Sequence, residues 1–257
     1  MHDKSISEIT KLIQQADEDG LLLFEEQLQN DERKGVHSVL ARRRKALIAE
    51  KKERERLVSL YDCMNVYAKE SFTIGCDEVG RGPVAGPLTV AAVVLSDDVY
   101  IEGLNDSKKI SPKRREKIAE HIRNEARAWH IMHISPAEID NKGMAACLRK
   151  AFYEVASHVQ NKMLPEKADA ILLDGNALHI FPHEYNIVKG DSKVANIAAA
   201  SIIAKVERDA LMIDYARNYP EYGFDENKGY ASPAHIDAIK RYGLTPLHRK
   251  TFCSAWI

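Results

Sequence analysis

Residues 73–95 limit what this chain can fold into more than any other stretch. A short apolar approach, 73–76, delivers two adjacent acids, Asp77 and Glu78, into a glycine-punctuated turn around one arginine, Gly80-Arg81-Gly82. The chain then re-enters an apolar run, 88–95, that reads as a strand. Neighbouring carboxylates repel each other, so a fold that holds them at the mouth of a tight turn needs a compensating charge. A divalent cation supplies one, and carboxylate oxygens suit Mg²⁺ or Mn²⁺. Gly75, Gly80, Gly82 and Gly86 let the backbone approach a ligand closely or take positive φ. Taken alone, the stretch also reads as a plain hairpin with two solvated acids.

Composition leaves room for a sizeable core around it, with 45% hydrophobic and 29% charged residues. No apolar run approaches the roughly 20 residues needed to cross a bilayer. Met1-His2-Asp3-Lys4 opens no apolar signal core, so a cytoplasmic location is expected. Cys63, Cys76, Cys147 and Cys253 are far apart and form no C-x-x-C pair, which argues against a zinc site or a disulfide framework. The net charge of −1 excludes a globally basic nucleic-acid binder and leaves local charge to carry any such contact.

Residues 1–68 read as a helical N-terminal extension, and 69–257 as a separate domain. Ser5 and Glu8 have capping-box spacing ahead of an Ile6, Ile9, Ile13 stripe. Gly20 is expected to end that helix before a second at 21–28, and Ser38 to cap a third reaching about residue 62. From Asp3 to Glu32 there are nine acids and two bases; from Arg33 to Arg56, ten bases and three acids. The basic run suits a phosphate backbone. It equally suits a solvated helix laced with pairs such as Glu50 and Arg54.

Beyond residue 69, strands alternate with helices. Strands are expected at 128–134, 170–173 and 185–188. Ser111-Pro112, Ser135-Pro136 and Ser232-Pro233 are helix starts, the second with a full capping box to Glu138. Met144, Cys147, Leu148, Ala151, Phe152, Val155 and Val159 keep helical spacing on a core-facing helix. A long helix at 193–217 has an apolar stripe through Ala195, Ala199, Ile202, Val206, Ala210 and Ile213. Asp174 closes a strand of the kind buried in parallel sheets, where α/β folds place ligands. Asp191 by itself reads as a cap for the helix after it.

Asp77, Glu78, Asp174 and Asp191 thus fall at element ends, as the acids of a two-metal phosphodiester site do. Lys108, Lys109, Lys189 and Lys193 lie in loops or helix starts beside them and suit phosphate contacts, though each alone is an ordinary surface residue. His130 and His133 sit on opposite faces of one strand, and His179 and His183 flank Pro182; all four read as structural or surface residues. Cys76 reads as a small buried side chain.

Five segments, GCDEVGRGPVAGP (75–87), LNDSKK (104–109), LDGN (173–176), VKGDS (188–192) and NKGY (227–230), resemble the bacterial type 2 ribonuclease H family, ribonuclease HII, in the family's order. The resemblance covers about residues 70–252 and leaves the extension outside. It implies an α/β ribonuclease H-like fold, a central mixed five-stranded sheet flanked by helices. It implies a metal-dependent endonuclease using Mg²⁺ or Mn²⁺ that cuts the RNA strand of RNA/DNA hybrids. It further implies cutting on the 5′ side of ribonucleotides embedded in duplex DNA, leaving 3′-OH and 5′-phosphate ends, in ribonucleotide removal. Asp77, Glu78, Asp174 and Asp191 would hold the metals. Gly80, Arg81 and Gly82 would read the ribose 2′-OH, Tyr230 would stack on the following sugar, and Lys108, Lys109, Ser192 and Lys193 would bind substrate.

No membrane or obligate protein partner is implied. In the sister enzyme, ribonuclease HIII, the position of Arg81 is typically threonine and the N-terminal domain contains a sheet, so type HII is favoured. The alternatives are a ribonuclease HIII-like or other nuclease on this scaffold, or a hybrid-binding protein without catalysis. The tail at 252–257 lacks the basic C-terminal helix some members use on the duplex. The basic run at 42–56 is the expected substitute.

Overall fold

Five strands carry the computed structural model, which describes residues 4–257: β1 (Phe72–Val79), β2 (Leu88–Val94), β3 (Ala128–Ile134), β4 (Ala168–Asp174) and β5 (Glu184–Ile187). They form one mixed sheet in the order β3-β2-β1-β4-β5. β1, β2 and β3 pair antiparallel, while β4 lies parallel to β1 and to β5. β1 is therefore central, and its C-terminal end lies beside that of β4.

Alternation along β1 divides the two layers. Phe72, Ile74 and Cys76 enter an apolar core with Leu88, Val90, Ala92 and Val94 and with the buried face of helix α6, Cys147 through Val159. Each aliphatic side chain fully buried there is worth about 1.5–3 kcal/mol relative to exposure. The other face meets helix α7 (Ala195–Asn218). A methyl on Gly75 would lie 2.3 Å from Asn196 Cβ and 2.4 Å from its carbonyl carbon, so only glycine lets this helix rest on the strand. Asn196 locks the approach by donating to Thr73 O and accepting from Leu95 N–H.

The helices of this unit are α4 (Pro112–Glu125), α5 (Pro136–Lys142), α6 (Met144–Lys162), α7 (Ala195–Asn218), the short α8 (Phe224–Asn227) and α9 (Pro233–Tyr242). The α7 stripe differs from the one expected. Residues 195–204 are buried on every side, between the sheet and α4. Beyond them Arg208 and Met212 are buried, while Ala210 and Ile213 are exposed. The helix there leaves the sheet and packs on the 80–87 turn, so the buried face follows the turn. Ser135 accepts the Glu138 N–H, but the reciprocal half of the capping box is missing because Glu138 pairs with Lys142 and Lys150. Ser111 makes no side-chain cap bond.

The chain divides into two compact units at Val58/Ser59, where the expected boundary lay at 68/69. Leu60, Tyr61 and Met64 are buried, and Tyr61 Oη donates to Val99 O, tying these residues to the second unit. The first unit is helical, from α1 (Ile6–Gln14) and α2 (Glu18–Gln27) into α3 (Lys34–Asn65), with Ile9, Ile13, Leu21, Leu28 and Val36 in its core. The Ser5–Glu8 capping box forms. Gly20 does not break a helix; it sits in the first turn of α2, where its N–H caps onto Asp17. α3 begins before Ser38, because the Asp31 carboxylate takes the Arg33 N–H and Arg33 O starts the turn by accepting from Val36. In the basic run Arg43 pairs with Glu50, in place of the Glu50–Arg54 pair expected, and Arg44 pairs with Glu25.

Candidate active site

Strand pleating sends Asp77 and Glu78 to opposite faces at the end of β1. Asp77 is buried, its Oδ1 accepts the Glu78 N–H at 2.7 Å, and the Ser201 hydroxyl of α7 also bonds it. Ser201 Oγ is in turn 3.1 Å from Ser107 Oγ. Cys76 lies opposite Leu173 in the parallel register, so the next residues, Asp77 and Asp174, leave the sheet side by side. Asp174 Oδ1 accepts the Gly190 N–H at 2.6 Å. A methyl on Gly190 would stand 2.6 Å from Ile197 Cδ1 and 3.4 Å from Asp174 Oδ1, so the glycine keeps this seat close.

Asp191 is buried in a 3₁₀ turn, Gly190–Ser192, and does not cap α7, whose N-cap is Val194. It faces Lys108 Nζ at 3.9 Å and Asp106, an acid inside the 104–109 segment that sequence reasoning did not single out. Lys109 Nζ is 4.0 Å from Asp106. Ser192 Oγ and Lys193 Nζ donate locally, to Lys189 O and Val188 O, and brace the loop.

Negative charge is disfavoured at Asp77, Glu78 and Asp191. Burial, then the charges of Glu78 and Asp174, raise the Asp77 carboxyl well above the usual range. Burial and Asp174 push Glu78 up to about 7, against the pull of Arg81 and Lys108. Burial, Asp106 and Asp174 raise Asp191. An all-oxygen, anionic donor set that resists its own charge fits a hard divalent cation. No three His, Cys, Asp or Glu side chains among the described residues close into a ready-made cage.

Beside Glu78 and Asp174 opens a cleft of about 520 Å³, bordered by Arg81, Arg149, Phe152 and Leu178. Glu184 holds its far wall by accepting the N–H groups of Leu178, His179 and Ile180, which drops that carboxyl to about 2 despite partial burial. His130 stacks on His158, and His133 bonds Thr89 from the other face, as structural histidines. Cys76 is buried with its thiol pushed up by burial, so it is no nucleophile.

Just beyond the acids in the chain, Gly80 takes φ +90° and Gly82 faces the half-exposed ring of Tyr230. The turn and the tyrosine are one assembly. Gly229 O accepts from Val84 and Ala85 N–H, and a methyl on Gly229 would lie 2.2 Å from Ala85 O.

A family model described as Ribonuclease HII matches residues 74–255, and one described as Ribonuclease HII N-terminal domain matches 5–63. The chain belongs to the ribonuclease HII family. Ribonuclease HII of Clostridium acetobutylicum is 41% identical over 254 residues, covering 96% of this chain and 98% of that protein. The Clostridioides difficile ribonuclease HII is 40% identical over 259 residues, covering 98% of each. Among solved structures, ribonuclease H2 from Pyrococcus horikoshii aligns with TM-score 0.59 and 28% identity over 72% of this chain and 96% of that one. The Archaeoglobus fulgidus RNase HII, solved with PCNA, gives 0.60 and 28% over 70% and 93%. Bst-RNase HIII in complex with Mn²⁺, at 18% identity and TM-score 0.58 over 75% and 72%, shares the fold.

A type 2 ribonuclease H hydrolase is thus established, on the ribonuclease H-like fold expected. No helix among the described residues is long and apolar enough to cross a membrane. Sequence reasoning missed Ser107, Asp106, Ser201, Arg208 and Arg249. Only the first two lay in a quoted motif; the others reach the site from distant positions that carry no local signal.

Proposed function

We propose that this ribonuclease HII cuts on the 5′ side of single ribonucleotides in duplex DNA, as well as the RNA strand of hybrids, leaving 3′-OH and 5′-phosphate ends. Asp77, Glu78, Asp174 and Asp191 would hold Mg²⁺ or Mn²⁺. When bound, the ions supply charge neutralisation and water activation for phosphodiester hydrolysis. The residues themselves divide the remaining tasks. Ser201 and the Glu78 N–H orient Asp77, and the Gly190 N–H orients Asp174. Lys108 and Lys109 meet phosphate, with Ser192 and Lys193 bracing the loop that carries Asp191. Arg81 and Gly82 offer backbone N–H groups to a ribose 2′-OH, which both donates and accepts. Tyr230 stacks on the next sugar.

The observation that carries this reading is the 80–82 turn, exposed at Arg81 and Gly82, which follows closely on Glu78 and whose Gly82 faces the ring of Tyr230. A glycine turn facing an aromatic ring suits the reading of one sugar, which hybrid cutting alone does not require. A binding protein without catalysis is disfavoured, since acids that repel phosphate serve no purpose there. A duplex carrying one ribonucleotide, assayed with Mg²⁺ or Mn²⁺, tests the proposal. Cleavage 5′ of that residue supports it, and cleavage only within runs of ribonucleotides sinks it. A role in ribonucleotide removal goes with that substrate.

A further inference from the structure

Arg208 on α7 and Arg249 at the start of the 3₁₀ turn Lys250–Phe252 are both fully buried. Among the described residues neither has a carboxylate within ion-pair distance; backbone carbonyls take the place of counter-ions. Arg208 donates from Nε to Pro87 O (2.9 Å), from Nη1 to Lys228 O (2.9 Å) and from Nη2 to Ala85 O (3.1 Å). Arg249 donates to Gly80 O (2.6 Å), Arg81 O (3.1 Å) and Gly86 O (2.9 and 3.2 Å).

Five of the eight carbonyls in 80–87 are thereby drawn inward. On the other side of the turn, the N–H groups of Arg81 and Gly82 have no acceptor among the described residues, and both residues are exposed. A methyl on Gly80 would lie 2.3 Å from Arg208 Nε, so the turn is moulded on that side chain. Arg208 also ties the turn to Lys228, two residues before Tyr230.

Charge pairing does not explain this arrangement. Burial lowers the basicity of both groups, Arg249 to about 10, and the two cations act unfavourably on each other. What the pair supplies is a fixed turn geometry at a fixed separation from Tyr230.

We propose that Arg208 and Arg249 are positioning residues for sugar discrimination: they draw the turn's carbonyls inward, present the Arg81 and Gly82 N–H groups outward, and set the gap to Tyr230. This rests on the reading of that turn given under the proposed function. Lysine keeps the charge but loses the planar fork that reaches several carbonyls at once. In Arg208→Lys and Arg249→Lys, kcat/KM on the single-ribonucleotide duplex is expected to fall at least about tenfold relative to that on a continuous hybrid. A merely structural role would lower both alike, in step with the melting temperature. A wild type that cuts the single-ribonucleotide duplex while both variants keep its substrate ratio within about twofold overturns this inference alone. A wild type that leaves that duplex uncut overturns the underlying reading and this one with it. If neither variant folds, the arginine Nε–H resonances of the full-length wild type decide. With Ca²⁺ in place of Mg²⁺, they shift on adding the single-ribonucleotide duplex but not an all-DNA duplex; equal responses to both overturn the proposal.

Discussion

A methyl group on Gly82 would stand 3.8 Å from Cε1 of Tyr230, so the bare glycine leaves a gap between the turn and the tyrosine ring that one methyl would close. The side chain that glycine lacks is the one that would fill it. Gly82→Ala is therefore expected to fold normally, since no atom in the protein is clashed, yet to lower kcat/KM on the single-ribonucleotide duplex by about tenfold or more. A melting temperature held near wild type alongside that loss checks the assignment; unchanged kinetics exclude this role for Gly82.

Asp77 and Asp174 lie next to each other at the ends of parallel strands, where only ionised carboxylates can supply negative charge to a cation. Asp77→Asn and Asp174→Asn are expected to abolish turnover while duplex binding survives or tightens, because a phosphate-repelling charge is removed. Binding by fluorescence anisotropy and single-turnover cleavage separate the two effects. Near-wild-type rates in either variant would exclude that carboxylate from the site.

Gly75 has no room for a side chain, since its added carbon would meet α7 backbone at 2.4–2.5 Å. Overpacking typically costs about 1–3 kcal/mol, and more where the obstacle is backbone. Gly75→Ala is expected at the upper end of that range in denaturant unfolding, with activity lost because Asp77 rides on the displaced strand.

His235 and His248 form a buried pair whose protonation states follow from their partners. Tyr230 O can only accept, so His235 Nδ1 carries a hydrogen and its Nε2 accepts from His248 Nε2–H at 3.0 Å; His248 Nδ1 accepts the Thr245 N–H. Both rings are neutral, and a proton on either would set two donors face to face or displace Thr245. Burial, then the neighbouring His235, lowers His248 from 6.5 to about 4, and burial lowers His235. The unfolded chain therefore binds more protons between these values, so stability from the pair is complete above about 6.5 and is lost as pH falls toward 4. Urea midpoints measured from pH 7.5 to 4 should show that decline, and replacing His248 by Phe should flatten it.

Lys45, Lys51, Lys52 and Arg54 are four exposed members of the basic run, beside the exposed Arg42, whereas Arg43 and Arg44 are paired. If this run binds phosphate, changing all four to Gln should raise KM at low salt and reduce the salt slope of log K by about 0.9 for each phosphate that is no longer neutralised. An unchanged slope assigns the run to solvated helix surface.

Much of the fold was legible before any coordinates. Periodicity placed β3 at its observed limits, and the spacing of Cys147, Ala151, Phe152 and Val155 identified the core face of α6, because burial of one face leaves a repeat in the chain. Local rules failed where distant groups intervened. Glu138 left its capping box for Lys150 on α6, and the Asp31 carboxylate moved the start of α3.

The acids at the end of β1, the glycine turn and the order of the five motifs were determined by the chain itself, since each depends on neighbours a few residues away. Tertiary structure alone decided that Asp191 faces Lys108 and Asp106 instead of capping α7, and that Arg208 and Arg249 carry the 80–87 turn. Two buried guanidiniums reach that turn from positions 121 and 169 residues away in the chain, a separation at which no periodicity or spacing records a contact. The acids could be read from sequence because strands end where polar residues begin. What holds the turn beyond them could be read only from the packed molecule, because a carbonyl accepts from any donor the fold brings near.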